Sequence, residues 1–180
     1  YCEIYPWDTT LEQLAHLNIK GFILSGGPAS VYDAGAPQLL PYILEQGVPV
    51  LGICYGMNAL AHQLGSKVAG SPLGEFGHAM LHQNGPYHAI FDGLTPNLPV
   101  WMSHGDQVLD LPTGFRSLAY TENSPIAAMS NDSGIIGLQF HPEVVHTPSG
   151  KEMIANFLTR VCGCKGQWTP GNFVAESVAN

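Results

Sequence analysis

Cys54 stands in the run Val48-Pro49-Val50-Leu51-Gly52-Ile53-Cys54-Tyr55-Gly56-Met57, an apolar strand-like stretch that enters a Gly-x-Cys-x-Gly bend and continues as a helix-like segment, residues 58–64. Gly52 and Gly56 bracket the thiol because a sharp strand-to-helix turn brings two backbones together, and only a residue without Cβ clears the contact. The bend leaves the sulfur at a helix N-terminus, where the dipole and unpaired N–H groups favour negative charge. This is the setting of a nucleophile. A cysteine nucleophile needs a base for its proton and a third group to orient that base. His141 and Glu143, on either side of Pro142 and just after the apolar run 135–140, supply both. Parallel strands gather their C-terminal ends, which can bring His141 beside Cys54 despite their separation in sequence. Acyl transfer also needs donors aimed at a developing oxyanion, and the backbone N–H groups of Tyr55 and Gly27 are the local candidates.

Other constellations are weaker. Ser25-Gly26-Gly27 opens like a pyrophosphate-binding loop, but Pro28-Ala29-Ser30 lacks the Asp-Ser that completes one, so no nucleotide site is expected there. Eight histidines raise the question of a metal. His141 and His146 are near neighbours in sequence, and His78 and His82 have helical spacing in a region that reads as strand and turn. No third ligand accompanies either pair, and no metal is expected. The four cysteines, Cys2, Cys54, Cys162 and Cys164, match neither a disulfide framework nor paired Cys-x-x-Cys arms.

The elements that must position these groups alternate. Residues 1–5 read as a strand, and a Thr9–Glu12 capping box precedes Leu11, Leu14 and Leu17 at helical spacing. Residues 21–24 form a short apolar strand, and 38–46 a helix stopped by Gly47. Strand, helix, strand, helix predicts a mostly parallel open sheet with helices on both faces. Residues 80–82 and 89–91 read as short strands around the Asn84-Gly85 turn, a small antiparallel edge. The last helix is expected to start at a Ser149–Glu152 capping box, present Ile154, Phe157, Leu158 and Val161 on one apolar face, and stop at Gly163. Residues 167–180 read as a linker or docking tail.

With 180 residues the chain suits one domain. A net charge of −8, with only six Lys and Arg, provides no basic stripe for nucleic acid or an anionic membrane. No apolar run approaches the ~20 residues that span a bilayer, and a cytoplasmic protein is expected.

Several motifs together resemble the class I glutamine amidotransferases: Gly52-Ile53-Cys54-Tyr55-Gly56-Met57, Ser25-Gly26-Gly27-Pro28, Glu75-Phe76-Gly77, Trp101-Met102-Ser103-His104-Gly105-Asp106, and the run from Gly137 through Gln139-Phe140-His141-Pro142-Glu143 to His146-Thr147. Trp-Met-Ser-His-Gly-Asp and the His-Thr extension are similar to the GMP synthetase branch of that class. The resemblance implies a flavodoxin-like fold and glutamine hydrolysis by a Cys54–His141–Glu143 triad. Gly27 and Tyr55 would form the oxyanion hole, and Asn58, Ser103, His104, Gly105 and Asp106 would bind glutamine. It implies an amidotransferase domain over residues 1–165, lacking a first strand and helix that family members place before the position of Tyr1. Residues 166–180 would lead toward an ATP-pyrophosphatase domain, which would use ATP and Mg²⁺ to aminate XMP; no cofactor is implied for the amidotransferase domain itself. Asn58 stands where the family has Gln. Two rival readings stay open: another class I amidotransferase, serving for example CTP, anthranilate or carbamoyl phosphate synthesis, and an amidotransferase-like partner-binding domain with impaired catalysis.

Overall fold

Among the described residues, seven strands hydrogen-bond into one sheet in the order β1-β2-β7-β6-β5-β3-β4. The computed structural model describes residues 1–166, apart from the side chains of 71–73. The strands are β1 (Phe22–Leu24), β2 (Val50–Ile53), β3 (Val68–Gln83), β4 (Asn97–Val108), β5 (Arg116–Tyr120), β6 (Ala128–Ser130) and β7 (Ile135–Leu138). Among these residues three α-helices accompany them: α1 (Tyr42–Glu45), α2 (Tyr55–Gln63) and α3 (Gly150–Asn156).

Alternation along β2 shows how the layers form. Val50 packs in a cluster with Ile43 of α1 and Leu60 of α2. Leu51 and Ile53, pointing the other way, pack with Met153 and Phe157 at α3. All four residues of β2 are buried, as expected of a strand covered on both faces. The open α/β sheet with helices on both faces is therefore as expected. Its antiparallel part is larger than expected: β1-β2 and β2-β7 are parallel, and the other four pairings are antiparallel. The long β3–β4 ribbon accounts for much of this, with Glu75 to His82 running in unbroken register against β4.

Several local expectations give way to tertiary context. Residues 1–5, expected as a strand, join no ladder and are exposed. The expected helix after Thr9 is a single 3-10 turn, Glu12–Leu14. Thr10, not Thr9, makes the reciprocal contact, its N–H donating to Gln13 Oε1 at 2.8 Å, while the Thr9 hydroxyl donates to Pro6 O. Leu14 is buried but Leu11 is exposed, and a helix that buries so little of its apolar stripe does not extend. The 38–46 helix shrinks to α1 behind Pro41, which has no N–H and disfavours helix in the residue before it. Residues 80–82 lie within β3, but Ala89–Phe91 is a 3-10 turn capped by His88 Nδ1. Asn84 and Gly85 close no hairpin, since both N–H groups donate to Leu118 O. At α3 the Ser149 side chain makes no cap. The helix continues as a π-helical stretch, Phe157–Val161; its extra residue per turn shifts the phase, so Met153 and Phe157 are buried while Leu158 is 39% exposed. The linker expected beyond residue 166 lies outside the described residues.

Candidate active site

β2 ends at Ile53, and α2 begins one residue after Cys54. Cys54 itself carries the whole turn, with φ 51° and ψ −106°, the one non-glycine residue at positive φ among the described residues. A side chain held there costs about 1–3 kcal/mol and persists only where the surroundings over-determine it. They do so here. Cys54 N–H donates to Leu138 O of β7 at 2.7 Å. A Cβ on Gly52 would stand 2.6 Å from the Gly56 backbone, and one on Gly56 would overlap Leu24 O. The two glycines thus clear the backbone contact expected of them, and the helix starts three residues earlier than its expected segment.

His141 follows β7, and its Nδ1 is 2.7 Å from Glu143 Oε1. Its other ring nitrogen, Nε2, is buried and has no hydrogen bond of good geometry. The ring also interacts with the Cys54 sulfur, which is turned toward Ser103 O at 3.6 Å. Interaction with that sulfur is the largest cause pushing the His141 imidazole up to about 10; the hydrogen bond with Glu143 comes next, and burial opposes both. For Glu143, burial pushes upward, but the hydrogen bond with His141 and the Glu143 backbone outweigh it and hold the carboxyl below its usual range. Gly26 lies against the pair: a Cβ there would stand 2.9 Å from His141 Cε1 and 3.5 Å from Cys54 Cβ. Next to it, a Cβ on Gly27 would stand 3.7 Å from Tyr55 Cβ, so Gly27 lies against the Tyr55 side chain.

The residues expected to bind glutamine come from α2 and β4. Asn58 is buried, its Nδ2 3.5 Å from Asp106 O. Asn58 Oδ1 and Asp106 Oδ2 are buried without partners. Ser103 contributes a carbonyl beside the Cys54 sulfur, and Gly105 follows on the same strand. The His104 side chain is committed elsewhere: Nδ1 lies 2.9 Å from Asp106 O, and Nε2 lies 3.3 Å from Ser124 Oγ and 3.4 Å from Glu75 Oε2. Burial pushes this imidazole down. Glu75 also accepts from Thr121 Oγ1 at 3.0 Å and Ser124 Oγ at 2.8 Å. Sequence reasoning assigned no role to Thr121 or Ser124, and nothing in their spacing marks them.

The remaining histidines take other partners. His78 and His82 lie in β3 and share one of its faces, as residues four apart in a strand must. His78 stacks edge-on with Trp101 and with His146, whereas His82 pairs with Asn97 and lies over Tyr120. Among the described residues, no group of three or more His, Cys, Asp or Glu side chains could hold a metal ion. No helix among them is long and apolar enough to cross a membrane.

A strained cysteine at a strand-to-helix elbow, facing a histidine–glutamate pair across parallel strands, agrees with the family comparison. The family described as glutamine amidotransferase class-I matches residues 1–161, and the chain belongs to it. A glutamine-hydrolyzing GMP synthase of Dehalococcoides mccartyi is 53% identical over 180 residues, covering 100% of this chain and 34% of the relative. One from Thermomicrobium roseum is 53% identical over 178 residues, covering 99% of this chain and 33% of the relative. The chain thus spans about a third of the length of these curated relatives. Among solved structures, a Thermoplasma acidophilum protein described as a candidate GMP synthase subunit superposes with a TM-score of 0.76 at 28% identity, over 89% of this chain and 80% of that one. A glutamine amidotransferase of Thermotoga maritima shares the fold with a TM-score of 0.70 at 23% identity, over 86% of this chain and 81% of that one.

Proposed function

We propose that this chain is the glutaminase domain of a GMP synthase, hydrolysing glutamine to glutamate and ammonia through a Cys54–His141–Glu143 triad. The observation that carries the chemistry is the strained Cys54 elbow facing His141, whose ring is held by Glu143. The choice of GMP synthase within the class rests on relatives of that name, 53% identical along essentially the whole chain.

The Cys54 thiolate adds to the side-chain amide carbon of glutamine, and the electron pair of the C=O bond moves to oxygen. Backbone N–H groups of Gly27 and Tyr55 receive that oxyanion. His141, carrying a proton, gives it to the amide nitrogen, the C–N bond breaks, and ammonia leaves a thioester on Cys54. His141 then takes a proton from water, whose oxygen adds to the thioester carbon; glutamate departs and the thiolate returns. Glu143 keeps the imidazole in one tautomer and stabilises its charged form. Asn58 and the 103–106 segment hold the amino acid, with the unpartnered Asn58 Oδ1 and Asp106 Oδ2 suited to its ammonium group. The ammonia serves amination of XMP by an ATP-pyrophosphatase domain or subunit, which holds the ATP and Mg²⁺.

The test is glutamate release from glutamine by wild type and Cys54→Ala. In the full-length protein, Cys54→Ala should lose glutamine-dependent GMP formation and keep ammonia-dependent formation. Glutamine-dependent turnover surviving in Cys54→Ala overturns the nucleophile assignment.

A further inference from the structure

Thr147 lies beyond the His141-Pro142-Glu143 turn and is buried, only 3% exposed. Its hydroxyl donates to His141 O at 2.6 Å and accepts from the Trp101 N–H at 3.0 Å. The His141 N–H in turn donates to Trp101 O at 3.0 Å. Three hydrogen bonds therefore close a ring through Thr147, His141 and Trp101. A hydroxyl has one proton to give, and here that proton goes to the histidine backbone.

The ring answers a geometric problem. His141 follows β7, and Trp101 belongs to β4, with β6, β5 and β3 between those strands in the sheet. The sheet ladder therefore provides no direct bond between them. β4 is the last strand, so its outer N–H and C=O groups lack a strand partner. At Trp101 they are taken up by the turn that carries His141. The same strand carries Ser103, whose carbonyl lies against the Cys54 sulfur. Gly150 fastens the other end of the turn, since a Cβ there would overlap Pro142 O. Contacts at the imidazole ring alone do not fix the main chain beneath it.

We infer that Thr147 is a positioning residue: its hydroxyl clasps the His141 main chain to Trp101 of β4 and so sets the aim of the imidazole at the Cys54 sulfur. The inference rests on the glutaminase reading above for its kinetic consequence, but not for its geometry. Thr147→Val keeps the shape and removes the proton, leaving His141 O unpaired and facing the Trp101 N–H with a methyl group. Misplacement of a reacting group by about 1 Å costs up to about 100-fold in rate. Thr147→Val should lower kcat for glutamine hydrolysis about 10- to 100-fold with KM within about twofold, since the groups that hold glutamine are untouched. Thr147→Ser retains the hydroxyl and should restore kcat.

The experiment uses the full-length protein and measures steady-state glutaminase kinetics alongside the NMR titration of His141, for wild type, Thr147→Val and Thr147→Ser. A kcat-selective loss in the valine variant, rescue by serine, and a His141 titration moved to lower pH only in the valine variant would support the clasp. Wild-type kcat in Thr147→Val, or equal losses in valine and serine, overturns it. If wild type shows no Cys54-dependent turnover, the glutaminase reading fails, and the titration alone then decides the clasp: a His141 titration unmoved by valine overturns it. If Thr147→Val does not fold, Thr147→Ala takes its place in the same assays. Failure of both to fold also overturns the assignment, because Thr147 would then be a determinant of folding.

Discussion

The two halves of the sheet divide the work of the site. In the parallel half, β1, β2 and β7 present Gly26, Gly27, Cys54 and His141 from loops at their C-terminal ends, close together because parallel strands end on one side. In the antiparallel half, the β3–β4 ribbon brings Ser103 and Asp106 to that cluster and anchors itself through the buried Glu75–His104–Ser124–Thr121 network. The parallel half holds Cys54 under backbone strain. The ribbon holds polar groups under burial. The first arrangement exchanges stability for reactivity, whereas in the second the Glu75 network is stable because its buried groups pair with one another.

The largest contrast should come from Cys54→Gly. Glutamine hydrolysis should fall by at least about 10⁴-fold, since the variant lacks the proposed nucleophile. Unfolding free energy should nonetheless rise by about 1 kcal/mol, because glycine occupies φ 51° without the strain of a side chain. Glutamate assays and urea denaturation measure the two, and a less stable Cys54→Gly would break the claim that the elbow stores strain. Glu75→Ala is the counterpart in the ribbon. It leaves Thr121, Ser124 and His104 facing a void and should cost about 3 kcal/mol. Hydrogen exchange should show amide protection lost first along β3 and β4, with β2 and β7 keeping theirs. Uniform loss across all strands would mean that the halves do not open separately.

Glu143→Gln tests the coupling within the parallel half. His141 titrates in the folded protein at about 10, against an ordinary 6.5. The folded state therefore holds this proton more tightly than the unfolded state. That contribution to stability is complete below about 6.5, shrinks as pH rises, and is gone above about 10. Removing the Glu143 charge removes one of the causes that raise the value. The alkaline limb of kcat/KM should shift to lower pH in Glu143→Gln, with kcat reduced about tenfold or more because an amide stabilises imidazolium less well. An alkaline limb that does not move would assign that titration to another group.

The smallest effect is expected at Asn58, where the halves meet. Its Nδ2 reaches Asp106 O only at 3.5 Å, and its Oδ1 has no partner. Asn58→Gln extends the side chain by one methylene and should lower KM for glutamine about fivefold, the low end of what one hydrogen bond to a buried polar group contributes. Alkylation of Cys54 by a small reagent should be unchanged. A higher KM would show that the pocket is shaped around asparagine.

The sequence by itself was enough for the elbow, the apolar strands 50–53 and 135–138, and the His141-Pro142-Glu143 pair, because each is encoded in a few contiguous residues. Two glycines four apart, a period of two, or a carboxylate two residues after a histidine act over distances that the local backbone sets. What only the tertiary structure decided is where segments far apart in sequence meet. A capping pattern at Thr9 or Ser149 could not reveal that neither cap forms, since the extent of a helix depends on what its apolar stripe can cover. Nor could Thr147 announce that its hydroxyl joins His141 to Trp101, or Glu75 that it is buried among Thr121, Ser124 and His104. Those roles come from the β3–β4 ribbon lying against the ends of the parallel strands. A hydrogen bond between distant segments depends on the position of both partners, and the spacing of residues along the chain describes only one segment at a time.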